Sequence, residues 1–310
     1  MNAQNLKIIT LNVNCLGKPA SRAGLVDFMD RFSPDLLCIQ ECNIPSEDLQ
    51  GLVTRHDYKA LVNLDTADEN ARGTAFVWKN VLDFKNFTVV EANRLSYIML
   101  GDLMIINIYA HSGRVARAQR EELFSRSLND LLQSSSHLNK ILLGDFNSII
   151  SRRDAMHNPG QKISQSLLQI VRIYNMADAF REVNQTAGYT LIRNNGASRI
   201  DRIYVPNKFR ISIITTEVLP APFTDHAAVG MILAVTGISR RETEQSPATY
   251  WKLNVSILDD EDFLPNFSEL YDEIKDGKED YADLGEWWEC QAKPVIRIFC
   301  EEIQLNASKR

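Results

Sequence analysis

Apolar residues occur in short runs separated by polar and turn-forming residues over the first 236 positions. Several runs have the length and composition of β-strands, and they lie at 6–11, 36–40, 74–78, 96–100, 103–109, 140–143, 190–192, 200–205 and 211–218. Helical periodicity is present at 20–32, 117–133 and 163–174. Many strands with few helices predict an α/β or α+β fold, and two packed sheets with flanking helices fit this pattern best.

One turn indicates how neighbouring strands are connected. Leu100 and Leu103 end and begin two apolar runs, and only Gly101 and Asp102 separate them. A two-residue connection of this kind predicts a hairpin and therefore an antiparallel strand pair. The sheets are expected to be mixed rather than purely parallel.

The composition changes beyond residue 236. Segment 237–250 is rich in Gly, Ser, Arg, Glu and Pro without periodicity, which is typical of a linker. Segment 251–310 carries apolar residues, including Trp287 and Trp288, at mostly helical spacing among acidic residues. We therefore expect a domain at 1–236, a linker at 237–250 and an acidic, mostly helical tail at 251–310 whose apolar face needs a partner.

The net charge of −6 is distributed unevenly along the chain. Residues 1–236 hold 25 Lys and Arg against 23 Asp and Glu, whereas residues 237–310 hold 9 against 17. The acidity thus belongs to the tail and does not exclude nucleic-acid binding by the first region. Basic residues cluster close to candidate site positions, at Arg114, Arg117, Arg120, Arg126, Arg152 and Arg153. They suit phosphate contacts, and the alternative is a solvated helix face alternating with Glu121 and Glu122.

Cysteine usage and hydropathy bear on the cellular compartment. The five cysteines are odd in number and lack Cys-x-x-Cys spacing, which argues against a disulfide framework and a zinc site. The polar start of the chain has no signal-peptide pattern, and no stretch of eighteen apolar residues occurs. These features predict a reduced, intracellular protein that is neither secreted nor membrane-spanning.

Polar residues follow the ends of many predicted strands. They are Asn12, Asn14, Glu41, Tyr109, Asp145, Asn147, Asp201, Asp225 and His226. Each has a plain alternative explanation: the asparagines suit turns, Asp201 could pair with Arg199 or Arg202, and His226 could cap an element. Asp145 and Asn147 are two residues apart, so on an extended backbone they face the same way. Two carboxylates, an amide and an imidazole are what metal-assisted hydrolysis requires.

The ordered set resembles the endonuclease/exonuclease/phosphatase superfamily over about 235 residues. The matching strings are Thr10-Leu11-Asn12-Val13-Asn14, Ile39-Gln40-Glu41, Asn107-Ile108-Tyr109-Ala110, Gly144-Asp145-Phe146-Asn147, Ile200-Asp201-Arg202-Ile203 and Thr224-Asp225-His226-Ala227. Within this superfamily the chain is most similar to the endonuclease domain of the second open reading frame product of LINE-type retrotransposons, the Tx1-like group in particular. The resemblance implies a four-layered α/β sandwich of two mixed sheets flanked by helices.

Two local features favour the retrotransposon branch. Repair enzymes of the exonuclease III type tend to carry tryptophans shortly before the strand that holds Asp201, whereas this chain has Gly188, Tyr189, Thr190 and Leu191 there. The segment 250–254, Tyr-Trp-Lys-Leu-Asn, resembles the one that leads toward reverse transcriptase in these elements. The tail is therefore expected to precede, and to contact, a reverse transcriptase region absent from this chain.

The resemblance also implies a cofactor and a role for each site residue. Mg²⁺, with Mn²⁺ as a possible substitute, would be bound principally by Glu41, and the other implied ligands are Asn14, Asp145, Asn147, Asp225 and His226. Asp145 would act as general base, with Asn147 orienting the water or the transition state. Asn12 and Tyr109 would contact the scissile phosphate. His226 would stabilise charge on a phosphate oxygen while Asp201 fixes its tautomer.

These roles imply a metal-dependent endonuclease that nicks one DNA strand and leaves a 3′-hydroxyl. One alternative is a repair-type apurinic endonuclease or an exonuclease III-like activity with the same residues. An alternative of another class is an inactive, domesticated remnant that binds nucleic acid or protein. DNA is the expected partner, no membrane is involved, and the nucleus is the expected location.

Overall fold

The structure is a computed structural model that describes residues 3–65, 67, 71–156, 163–193, 196–237, 258, 263–280, 283–292, 295–296, 299–300 and 303. The chain divides into two compact units, Met1–Arg241 and Glu242–Arg310. Apart from position 237, the linker expected at 237–250 lies outside the described residues. None of the described helices is long and apolar enough to span a membrane.

Fifteen strands are present among the described residues of the first unit. They are β1 (Gln4–Asn12), β2 (Leu36–Gln40), β3 (Tyr58–Asn63), β4 (Thr74–Lys79), β5 (Lys85–Glu91), β6 (Leu95–Leu100), β7 (Leu103–Tyr109), β8 (Asn139–Asp145), β9 (Ala155–Met156), β10 (Met176–Asp178), β11 (Leu191–Arg193), β12 (Gly196–Ser198), β13 (Asp201–Pro206), β14 (Ile213–Leu219) and β15 (Ala228–Val235).

Short helices connect many of these strands. The first unit contains α1 (Pro19–Phe32), α2 (Ser46–Thr54), α3 (Arg117–Glu122), α4 (Asn129–Ser134), α5 (Gln165–Ile173) and α6 (Ala179–Val183). A π-helical segment, Leu123–Leu128, joins α3 to α4, and 3₁₀ turns occupy Arg152–Asp154 and Asn207–Ser212. The second unit contains α7 (Phe263–Lys275), α8 (Leu284–Trp287), a 3₁₀ segment at Asp276–Asp280 and a π segment at Trp288–Ala292.

The strands form two six-stranded sheets and one small sheet. The first large sheet has the order β14-β15-β1-β2-β4-β3, the second has β10-β13-β8-β7-β6-β5, and the small one has β11-β12-β9. Each large sheet has one parallel pair at its centre, β1 with β2 and β7 with β8, among antiparallel neighbours. The predicted mixed sheets are confirmed, and β6 and β7 form the predicted hairpin, with Leu100 opposite Leu103.

Alternate residues of the central strands enter different cores, which explains their continuous apolar runs. In β1, Leu6 and Ile8 pack between the two large sheets, whereas Ile9 packs toward α1 and α2. In β8, Leu143 faces the space between the sheets, and Leu142 packs with the segments that contain Phe124 and Leu167. Helices, sheet, sheet and helices therefore form the four layers that the resemblance implied.

Several boundaries differ from the sequence expectation. The predicted strand at 211–218 begins two residues later, because 207–212 form a 3₁₀ turn before β14. The predicted helix at 117–133 is helical but contains the π segment. Strand β5 was not predicted, because it is an edge strand with no buried residue and therefore lacks a clear apolar pattern.

The second unit is helical, as predicted for the tail. Phe263 and Cys300 are buried in one apolar cluster, and Ile274, Trp287 and Ala292 are buried in another. The indole Nε1 of Trp287 donates to the carbonyl oxygen of Ile274 at 3.1 Å. Part of the apolar face of the tail is therefore covered within its own unit.

Candidate active site

The site lies where the central strands of both large sheets end. Asn12, Tyr109 and Asp145 are the last residues of β1, β7 and β8, and Glu41 directly follows β2. Because β1 and β2 are parallel, as are β7 and β8, the carboxyl ends of each pair meet at one edge of their sheet. Asp201 begins β13 and lies directly opposite Asp145 in the antiparallel pair that β13 forms with β8.

Asn12 connects the carboxylates of the two sheets. Its side-chain amide donates to Glu41 Oε1 at 2.9 Å and to Asp145 Oδ2 at 3.0 Å. Asn12 is buried, and its hydrogen bond to Asp145 is shielded from water, whereas the one to Glu41 is only partly buried. Deeper between the sheets, Gln40 Nε2 donates to Asn107 Oδ1 at 2.7 Å, and this contact joins the same two layers. The amide of Asn12 thus holds two carboxylates that are distant in sequence beside one another.

The turn after β8 holds Asn147 against Asp145. The backbone N–H of Asn147 donates to Asp145 Oδ1 at 2.8 Å, and its side-chain amide donates to Asp145 Oδ2 at 3.0 Å and to Ala110 O at 2.9 Å. Asn147 has a φ of 46°, a left-handed conformation that asparagine tolerates better than most residues. At the start of the same string, Gly144 has a φ of 132°, and a Cβ there would lie 2.0 Å from Ile108 O. The backbone conformation therefore explains why these two positions hold glycine and asparagine.

Glu41 also has a left-handed backbone, with a φ of 57°. Its N–H donates to Gly73 O at 3.0 Å, and its carbonyl oxygen accepts from Cys15 N at 2.8 Å. For a glutamate this conformation is uncommon and persists only where neighbouring structure enforces it. The residue with this strained backbone is also the one whose carboxylate accepts a hydrogen bond from Asn12 at the edge of the sheet.

His226 and Asp201 form a buried pair. His226 Nδ1 lies 3.0 Å from Asp201 Oδ2, and the His226 N–H donates to Thr224 Oγ1 at 3.3 Å. Burial alone would lower the pKa of His226, but the Asp201 carboxylate outweighs burial and raises this pKa to about 10. The imidazole is therefore a cation at neutral pH. The threonine hydroxyl in turn donates to Asn12 O at 2.9 Å, which ties the histidine loop to β1.

The pKa of Asp145 is also raised, but for a carboxyl group this shift favours the neutral form. Burial, and then the neighbouring Asp201 carboxylate, raise the pKa of Asp145 to about 7. A carboxyl group with such a pKa can accept a proton near neutral pH, which suits a general base. The carboxylate oxygens of Asp145 and Asp201 and a ring nitrogen of His226 all lie within 4.8 Å of one another, and while His226 is charged only the two carboxylates can bind a cation.

Two of the residues implied as metal ligands form a separate pair nearby. Asn14 Nδ2 donates to Asp225 Oδ1 at 3.2 Å, and Arg193 forms an ion pair with Asp225 Oδ2, also at 3.2 Å. The Asp225 side chain is 38% exposed, unlike the buried Asp145. The structure thus brings Asn12, Glu41, Asp145, Asn147, Asp201 and His226 into one connected group and places Asn14 and Asp225 at its rim.

Tyr109 has a basic neighbour that the sequence did not indicate. The guanidinium of Arg94 lies over the Tyr109 ring at 4.6 Å from its centroid, and the N–H of Tyr109 donates to Arg94 O at 2.8 Å. Burial and the Glu41 carboxylate raise the pKa of the Tyr109 hydroxyl, so it remains protonated as a hydrogen-bond donor. Arg94 is a single arginine in a turn before β6, and its sequence context gives no signal of this position.

Other arginines have structural partners. Arg120 is buried, and its Nη1 donates to His111 O at 2.6 Å and to Gly113 O at 3.1 Å, so it supports the loop after β7. Arg126 pairs with Glu122 on an exposed helix face, as the alternative interpretation proposed. Arg199 and Arg202 pair with Asp154 and not with Asp201, whose partner is His226. The alternative explanation for Asp201 was therefore wrong.

Residues 9–226 match the Endonuclease/Exonuclease/phosphatase family, and this chain belongs to that family. The chain is 27% identical over 210 residues to the Transposon TX1 uncharacterized 149 kDa protein of Xenopus laevis. That alignment covers 66% of this chain but only 15% of the TX1 protein. The chain therefore spans a small part of the length of this relative.

Solved structures share the fold at low sequence identity. An AP endonuclease from Archaeoglobus fulgidus is 17% identical with a TM-score of 0.64, and the match covers 74% of this chain and all of that one (100%). The 3′ phosphatase NExo from Neisseria, in a structure bound to product DNA hairpin, is 20% identical with a TM-score of 0.62 and coverages of 74% and 99%. Both likenesses confirm the four-layered architecture.

Proposed function

We propose that this chain is a divalent-metal-dependent DNA endonuclease that nicks one strand and leaves a 3′-hydroxyl. The observation that carries the proposal is the double hydrogen bond of Asn12 to Glu41 and Asp145, which brings the cofactor ligand and the base together. Family membership supports phosphoester hydrolysis as the reaction class. The names of the structural relatives, which refer to DNA and to abasic sites, support DNA as the substrate.

The side chains at the site fit a hard divalent cation. Glu41, Asp145 and Asp201 supply carboxylate oxygens, the ligand type that Mg²⁺ prefers. Among the described residues, Asp201 Oδ1 is one of the few buried side-chain oxygens without a hydrogen-bond partner, so it has capacity for a ligand. When bound at Glu41, such a cation would neutralise charge on the phosphate. Asn14 and Asp225, which pair with each other at the more exposed rim of the site, would be additional ligands of the cation.

Other residues of the site would supply proton transfer and charge stabilisation. Asp145 takes the proton of the attacking water, and Asn147 keeps the Asp145 carboxylate in place through two hydrogen bonds. His226, held as a cation by Asp201, donates to a nonbridging phosphate oxygen as negative charge develops. The protonated Tyr109 hydroxyl donates to the same phosphate, whereas Asn12, whose two amide hydrogens both bind carboxylates, keeps Glu41 and Asp145 together.

Similarity to the TX1 protein favours a role in retrotransposition over repair. The 3′-hydroxyl left by a nick would then prime reverse transcription by a region outside this chain, which the tail would contact. Such a reaction takes place on chromosomal DNA, so the nucleus is the proposed location. A repair-type activity at abasic sites is the second candidate, because it would use the same groups.

A nicking assay tests the proposal. Supercoiled plasmid is incubated with the full chain with and without Mg²⁺, and a duplex containing one abasic site is run in parallel. We expect metal-dependent conversion to open circles, and Asp145→Asn should remove it. Asp102→Asn, in the turn between β6 and β7 at the far end of β7, is the matched control and should retain nicking. Cleavage of the abasic duplex alone would support the repair activity, and DNA binding without any cleavage would overturn both.

A further inference from the structure

A buried group of charged residues lies beneath the loop that follows Asn147. We call it the Asp154 cluster, and its members are Asp154, Asp178, Arg181, Arg199 and Arg202. Asp154 and Arg202 are both 0% exposed, and Arg199 is 2% exposed. Fully buried arginines and aspartates are rare in proteins unless they are paired. The proposed mechanism uses none of these side chains.

Arg202 binds three oxygens in different directions. Its Nη1 donates to Ser148 O at 2.8 Å, and its Nη2 donates to Asp154 Oδ2 at 3.0 Å and to Arg199 O at 2.5 Å. Two of these acceptors lie in the loop 148–154, and the third lies just before β13. The planar guanidinium therefore fixes the loop to the strand with a geometry that a single ammonium group cannot reproduce.

Asp154 closes the loop from the other end. Its Oδ2 accepts from Ile150 N at 3.2 Å and from Ser151 N at 3.1 Å. Its Oδ1 accepts from Arg199 Nε and from Arg181 Nη2, each at 3.1 Å. Both oxygens are thus fully used, so the carboxylate holds the loop in one conformation.

Arg199 extends the cluster to a neighbouring element. Its Nη1 and Nη2 bind the two oxygens of Asp178 at 3.0 and 2.5 Å. Asp178 caps α6 by accepting from Arg181 N at 3.4 Å. The loop after Asn147, β13 and the start of α6 are therefore joined around Asp154.

The cluster is adjacent in sequence to two site residues. Ser148, whose carbonyl oxygen Arg202 binds, follows Asn147, and Arg202 itself follows Asp201. Neighbouring residues of a strand face opposite sides, so Asp201 meets His226 while Arg202 lies on the other face beneath the loop. Arg202 can affect the site only through the backbone that it holds.

We propose that Arg202 is a positioning residue that holds the turn at Asn147 against Asp145. This inference rests on the proposed nuclease function. A buried ion cluster contributes little net stability compared with apolar packing, so a geometric role gives a reason for its presence. Asn147 keeps its left-handed backbone and its contacts to Asp145 because Ser148 O, one residue later, is fixed.

The test compares steady-state nicking by Arg202→Met, Arg202→Lys and the wild type, each shown to be folded by circular dichroism. We expect Arg202→Met to lower kcat by about 100-fold, the effect of a small misplacement of catalytic groups, with KM changed by less than about threefold. Arg202→Lys should recover part of the loss, because it keeps the charge and one hydrogen bond. The matched control is Arg210→Met, which removes the half-exposed pair with Glu182 and should leave kcat unchanged.

A double-mutant cycle with Asn147→Ala separates positioning from general stability. If Arg202 acts through Asn147, adding Arg202→Met to Asn147→Ala should lower kcat little further. Additive losses in the cycle, or an unchanged kcat in a folded Arg202→Met, would overturn the inference. So would failure of both Arg202 variants to fold, since that assigns Arg202 to stability alone. A wild-type chain that cleaves no DNA would instead refute the proposed function, and this inference would fall with it.

Discussion

His226 Nδ1 and Asp201 Oδ2 lie 3.0 Å apart in a buried part of the site, and this contact holds the imidazole in its charged form. The pair joins the loop before β15 to the first residue of β13. It therefore depends on the packing of one large sheet against the other.

Asp201→Asn should lower the pKa of His226 from about 10, because burial then acts without the Asp201 carboxylate and only Asp145 and Asp225 still raise this pKa. The cationic form of His226 would then be less favoured, and nicking should fall by roughly 10²- to 10³-fold as the charged donor is weakened. A pH titration of the histidine ring signals by NMR on metal-free protein measures the change. The His56 signal, from a residue paired with Asp30 elsewhere, should be unaffected by the substitution. A His226 titration that does not move would contradict this account.

Glu41→Gln should reduce nicking at low Mg²⁺ and recover part of it as Mg²⁺ is raised, because the substitution removes a charged ligand oxygen. Initial rates measured over a series of Mg²⁺ concentrations check this. Asp225→Asn is the comparison, because Asp225 is more exposed and already paired with Arg193. We expect a smaller shift of the Mg²⁺ dependence for Asp225→Asn, and equal shifts would place both carboxylates at one cation.

Gly144→Ala should be strongly destabilising, by about 3 kcal/mol or more, because its Cβ would meet Ile108 O at 2.0 Å in a backbone with a φ of 132°. Gly101→Ala is the matched control. Its φ is 61°, and no atom lies within 4 Å of the added Cβ. That control should cost only about 1–2 kcal/mol, the penalty of a left-handed residue. Urea unfolding of both variants gives the two free energies, and similar values would refute the steric explanation.

Stability in acid should depend on Asp154. Burial opposes its ionisation, but Arg202 and Arg199 outweigh burial and lower its pKa to about 2, from an ordinary value of 3.8. The ionised Asp154 therefore adds about 2 kcal/mol to the free energy of unfolding. This contribution is fully present above about pH 4 and is lost as the pH falls toward 2.

Asp154→Asn removes this ionisation and leaves the buried Arg202 without an ionised partner, while Arg199 keeps its pair with Asp178. The variant should be about 3–5 kcal/mol less stable than the wild type at pH 6, and the difference should shrink below pH 4. Urea unfolding at pH values from 3 to 6 measures it. A difference that stays constant over this range would show that the pKa of Asp154 is the same in the folded and the unfolded chain, and that the arginines do not stabilise its charged form.

Much of the fold was predictable because strand patterns are local. The central strands have apolar runs, since both of their faces are buried, and the hairpin at Gly101 and Asp102 has its own turn signal. Edge elements such as β5 were missed, because they bury little and so carry no clear apolar pattern, and β15 was also missed although it is apolar and mostly buried. The π segment inside 117–133 was also missed, because its apolar spacing is close to that of an α-helix.

The sequence alone predicted which residues belong to the candidate site, because each lies at or near a strand within a short and recognisable string. Only the tertiary structure decided their partners. Asn12 meets Asp145 across 133 positions, and Asn14 meets Asp225 across 211, through sheet packing that no local pattern encodes. For the same reason Asp201, which has arginines on both sides in sequence, pairs with His226. Strand alternation turns Arg202 to the opposite face, where it meets Asp154.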